Sequence, residues 1–136
     1  MGPAQAVKSV DTNILVRIIV DDDSKQAATA RKVVSAGVTV PLTVLLELAW
    51  TLRSRYGFER VRLNNALVAL LDIPEIHLED EPALRAGLEL HRGGADIADV
   101  IHLVAARGSE AFVTFDKGVP SGETIGVDVE LVEGKA

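Results

Sequence analysis

Five carboxylates stand out by the company they keep. Asp11 interrupts the apolar run of AVKSVDTNILV, Glu47 lies inside LTVLLELAWTL, Asp96 and Asp99 open DIADVIHLVAA, and Asp116 follows AFVTF directly. Aspartate is poor in strands and in helix interiors, so each needs a reason to be where it is. Two like charges ~4 Å apart cost about 1 kcal/mol in water and about 4 kcal/mol at an effective dielectric near 20. Several together exceed what a marginally stable domain carries unless a cation joins them. All-oxygen ligands select a hard divalent ion, Mg²⁺ or Mn²⁺. Such an ion serves phosphoryl chemistry: it polarises the phosphate, acidifies a bound water and stabilises the leaving oxygen. The charge balance is consistent with this. The chain has 20 acids and 14 bases, and setting the five aside leaves 15 acids to 14 bases.

Each carboxylate also has a plainer reading. Asp11 can cap an element that starts after the first strand. Around Glu47, the residues Val44, Leu45, Leu46, Leu48, Ala49, Trp50 and Leu52 cover nearly all sides of a helix, which predicts a buried one. Thr43, Glu47 and Thr51 then form a narrow polar seam at i, i+4, i+8, and a salt bridge from Glu47 to Arg53 or Arg55 would satisfy it. Asp96 as an N-cap with Asp99 three residues on is close to a capping box.

The elements that must position these groups alternate. Strands are expected over 6–10, 38–41, 75–79, 111–115 and 127–132. Helices are expected over 24–37 (capped by Ser24, stopped by Gly37), 43–57 (capped by Thr43, stopped by Gly57), 59–72, 79–94 (Pro82 near its start) and 95–108. Short apolar strands joined by helices imply an α/β sandwich on a parallel sheet of about 4–5 strands. Ligands bind such sheets at the carboxyl ends of the strands. Asp11 and Asp116 each follow a strand, so both are expected at one sheet edge.

The length of 136 residues suits one domain, with 1–6 outside the fold as a disordered or cloning-derived leader. Without cysteine there is no disulfide framework and no Cys-based zinc site. No apolar run approaches the ~18 residues of a membrane span, and no signal peptide is evident, so a cytoplasmic protein without a membrane partner is expected. A net charge of −6 argues against a general nucleic-acid-coating protein, though not against a metal-dependent enzyme acting on nucleic acid.

In order and spacing, four segments resemble the PIN-domain family and, within it, the VapC-type toxins of toxin–antitoxin pairs: VDTNILVR, LTVLLELAWTL, GADIADVIHLVAA and AFVTFDK. Each motif is weak alone; together they are specific and cover about residues 7 to 132. The sequence departs in carrying ADI where relatives often have ADF, a conservative change. The resemblance implies a three-layer α/β/α fold and a Mg²⁺-dependent endoribonuclease, with Mn²⁺ as a substitute, that leaves 5′-phosphate and 3′-hydroxyl ends. The family's acidic quartet falls on Asp11, Glu47, Asp99 and Asp116, with Asp96 beside Asp99. Asp11, Asp99, Asp116 and Asp96 would serve the metal, and Glu47 would orient or deprotonate the attacking water. Thr12, Asn13 and Thr114 would support them by hydrogen bonds. The resemblance further implies a homodimer, a VapB-type antitoxin and a substrate of the tRNA or rRNA class.

Arg17 and Lys117 lie near the acidic positions and are expected to contact RNA. Arg53, Arg55, Arg60 and Arg62 read as a solvated surface, Asp21, Asp22 and Asp23 as a turn and cap, His102 as structural, and Trp50 and Leu46 as core or dimer residues. Two rival functions fit the sequence less well. A haloacid-dehalogenase-like phosphatase would need an aspartate two residues after Asp11, where Asn13 stands. A non-catalytic PIN-like scaffold would have no reason to hold five costly carboxylates.

Overall fold

The computed structural model describes residues 7–20 and 23–134. The expected leader at 1–6 and the turn residues Asp21 and Asp22 lie outside the described residues. The chain divides into two compact units, residues 1–79 and 80–136.

The first unit contains β1 (Lys8–Ser9), α1 (Thr12–Ile19), α2 (Ser24–Ser35), β2 (Val38–Val40), α3 (Leu42–Ser54), α4 (Arg60–Leu71) and β3 (Ile76–Leu78). The strands pair in parallel in the order β1-β2-β3, with Lys8 opposite Val38 and Val38 opposite Ile76. Val38 and Val40 of the central strand are buried, as are Leu15, Val16, Leu45, Leu48 and Leu52 on the helices. Helix α1 is absent from the expected elements. It is short, and its apolar residues at Ile14, Leu15, Ile18 and Ile19 fall at i, i+1, i+4, i+5, a helical stripe easily taken for the tail of a strand. Asp23, rather than Ser24, caps α2, its carboxylate accepting from Gln26 N at 3.1 Å. Helix α3 starts directly after Pro41, whose carbonyl accepts from the amides of Val44 and Leu45, so Thr43 is inside the first turn and not its cap. Gly37 and Gly57, at φ +86° and +69°, end the helices before them, as expected.

The second unit contains α5 (Glu81–Arg92), α6 (Ile97–Ala105), β4 (Phe112–Thr114) and β5 (Val129–Leu131). β4 and β5 pair in parallel, Phe112 opposite Val129. Among the described residues the strands therefore hydrogen-bond in two ladders, one of three and one of two, each wholly parallel. The nearly continuous apolar pattern of 111–115 suggests a buried strand, yet Val113 and Phe115 are 56 % and 68 % exposed. Helices α5 and α6 approach closely at Gly87, where an added Cβ would stand 2.5 Å from Val100 Cγ1. Asp80, in the left-handed region at φ 60°, receives both its oxygens' bonds from Arg107 Nη1 at 2.5 Å, tying the start of α5 to the end of α6. Among the described residues no helix is long and apolar enough to cross a membrane.

Candidate functional site

In the first unit the acidic groups gather around α1. Asp11 is its N-cap: Oδ1 accepts from Ile14 N at 3.4 Å, long for such a bond. The capping reading is thus correct, but the cap is weak and the side chain is exposed. Thr12 is buried at 7 % exposure and donates its hydroxyl to Glu47 Oε1. That bond settles how Glu47 is held. Neither Arg53 nor Arg55 pairs with it among the described residues, and its carboxylate is exposed rather than sunk in a packed seam. Helix α3 is not apolar all round in its setting: Leu45, Leu48, Ala49 and Leu52 face the core, whereas Trp50 is 64 % exposed. The core reading of Trp50 therefore fails. Asn13 is exposed one residue further along α1. Arg17, one turn on, donates from Nη2 to the Tyr56 hydroxyl at 2.8 Å.

In the second unit Asp96 caps α6. Its Oδ1 accepts from Ala98 N at 2.8 Å and Asp99 N at 3.2 Å, so the capping explanation holds for Asp96. It does not cover the side chain of Asp99, which is half-buried. Burial pushes the Asp99 carboxyl above its ordinary pKa, and the charges of Asp96 and Asp116 push it further, with His102 partly opposing them. His102 itself is exposed. Asp116 follows β4 and is held in a tight turn: its amide donates to Thr114 Oγ1 at 3.0 Å, and its Oδ1 accepts from Gly118 N at 2.7 Å. A Cβ at Gly118 would lie 3.1 Å from that same oxygen. Lys117 is exposed beside it. Arg53, Arg55, Arg60 and Arg62 are exposed as expected, with Arg62 stacked 4.0 Å over the Phe58 ring.

Each unit thus presents a carboxylate immediately past a parallel strand, Asp11 after β1 and Asp116 after β4; Glu47 is bonded to Thr12, the residue after Asp11, and the charge of Asp116 is felt at Asp99. The model for the PIN domain matches residues 8–121, across both units. The chain belongs to the PIN-domain family. PIN domains are in general metal-dependent nucleases, and membership supports nuclease activity here. No curated protein and no solved structure matches the chain significantly.

PIN domains typically bind divalent metal ions. Among the described residues no three His, Cys, Asp or Glu side chains stand close enough together to hold one. The chemistry of the donors nevertheless fits a hard cation: the acids are carboxylates with hydroxyl neighbours, and the field of Asp96 and Asp116 on Asp99 is one a cation would relieve. Two supporting groups escape sequence reasoning. Gly118 supplies the amide that fixes Asp116, and a glycine two residues after an aspartate is a turn signal that could have pointed to it. Tyr56 orients Arg17 from 39 positions away, which no local pattern reveals.

Proposed function

We propose that this PIN domain is a Mg²⁺-dependent endoribonuclease, able to use Mn²⁺, that acts as the VapC-type toxin of a toxin–antitoxin pair. The observation that carries the reading is the placing of Asp11 and Asp116 directly past parallel strands in a chain of this family. A divalent ion held through Asp99 and Asp116 of the second unit would supply Lewis acidity and an acidified water to phosphodiester hydrolysis. The chain's own groups do the rest. The Thr12 hydroxyl donates to Glu47 Oε1, which leaves Oε2 to orient the attacking water and take its proton. Thr114 and Gly118 hold Asp116 in one conformation. Lys117 and Arg17 offer positive charge to the phosphates of the substrate. The products carry 5′-phosphate and 3′-hydroxyl ends, and the substrate is an RNA of the tRNA or rRNA class.

Glu47→Gln and Asp116→Asn are isosteric and each should remove cleavage of a labelled RNA in Mg²⁺ while circular dichroism stays that of the parent. Cleavage at the parental rate by both variants would refute the assignment. A VapB-type antitoxin would silence the enzyme by bringing Arg or Lys to the carboxylates. Removing the basic residues from such a partner's inhibitory segment should restore cleavage; unchanged inhibition would contradict that mode. The exposed Trp50 is a natural contact for the homodimer we propose, within the cytoplasm.

A further inference from the structure

The first unit carries a groove of ≈ 640 Å³ between α1 and α2 that the acidic residues alone do not explain. Asp11 lies at its α1 end, with Asn13 and Arg17 along one wall and Lys25, Gln26 and Thr29 along the other. Spacing accounts for both walls. Asn13 and Arg17 are four apart on α1, and Lys25 and Thr29 are four apart on α2, so each pair shares a helix face. We infer that this groove is a subsite for the sugar–phosphate backbone of a single RNA strand, with Lys25 and Arg17 as its phosphate contacts and Asp11 marking the end toward the scissile bond. The inference rests on the nuclease reading above and adds to it where the strand runs.

Three features favour this occupant. The walls carry a guanidinium, an ammonium, two amides and a hydroxyl, and among the described lining residues Asp11 is the one acid. In a chain of net charge −6, a polyanion needs a local run of such donors. The Arg17 fork is also set in place, since the Tyr56 hydroxyl accepts from Nη2 at 2.8 Å. Arg17 lies six positions beyond Asp11, a rise of about 9 Å at 1.5 Å per residue, so in this subsite Arg17 meets a neighbouring phosphate and not the one being cleaved. Finally, no aromatic side chain is among the described lining residues. The groove therefore offers no stacking platform, and it grips backbone without reading bases. Its volume is that of a small-molecule site, room for about one or two nucleotides of a strand.

The test uses the full chain in EDTA, where binding is read without cleavage. The probe is an end-labelled, mixed-sequence oligoribonucleotide of about 12 nucleotides, followed by anisotropy over a range of salt. Lys25→Ala and Arg17→Ala should each weaken binding about fivefold at low salt and reduce the salt slope by about 0.7. Arg31→Ala removes the same charge from α2 outside the groove and should leave both quantities as in the parent. Equal losses from Arg31→Ala and Lys25→Ala would overturn the subsite, because bulk charge would then be the cause. Parental binding by Lys25→Ala and Arg17→Ala would overturn it as well. If that happens while Mg²⁺-dependent cleavage persists, the subsite alone falls. The expected binding pattern without any metal-dependent cleavage supports the groove and removes the nuclease reading.

Discussion

At Asp99, burial and the charges of Asp96 and Asp116 together raise the carboxyl's pKa in the folded protein. An unfolded aspartate titrates near ~3.9. In the interval above that value the native state holds more protons than the unfolded one, so stability falls as pH rises through it. Below the unfolded pKa the penalty is absent; above the folded pKa it is complete. Asp99→Asn removes the penalty. In metal-free buffer at neutral pH the variant should melt at a higher temperature than the parent, and the difference should vanish as pH falls below ~3.9. The same variant should cleave no RNA. A group that costs the fold stability fits a functional site better than a structural one. Thr12→Val separates a second role: losing the bond to Glu47 should lower kcat and leave binding of the labelled strand unchanged.

Helix packing makes its own demand beside that site. Gly87 lets α5 press against Val100, the neighbour of Asp99 on α6, so closely that a methyl group cannot be added without movement. Gly87→Ala gains up to ~1 kcal/mol of helix propensity but overpacks a buried contact, which typically costs about 1–3 kcal/mol. Chemical denaturation should show a net loss, and Val100→Ala added to it should recover part of that loss. The sequence made most of this level legible. The capping of α6 by Asp96 and the stops at Gly37 and Gly57 were visible because helix ends use a small set of residue types. Helix α1 was not, since eight residues give barely two turns of period. The exposure of Glu47 and Trp50 was hidden for another reason: a helix with apolar residues on every side does not say which side meets the core. Asp11, by contrast, could be read as both cap and candidate ligand, and its long bond to Ile14 N leaves both roles standing.

For the whole molecule, the excess of acid over base is the quantity to explain. If it cuts RNA as proposed, a chain of net charge −6 needs cations at defined places to meet the substrate and metal to offset its acids. Binding linkage gives one consequence: a metal held only by the folded state stabilises it by about 2.7 kcal/mol at a hundredfold excess over Kd. Mg²⁺ or Mn²⁺ should therefore raise the melting temperature of the parent and raise that of Asp116→Asn much less. The measurement that bears most directly on the account is the chemistry of the cut itself. Purified protein incubated with RNA should cleave it in Mg²⁺ or Mn²⁺, stop in EDTA, resume when metal is restored, and leave 5′-phosphate and 3′-hydroxyl ends. Cleavage that persists in EDTA, or fragments ending in 2′,3′-cyclic phosphate, would contradict it.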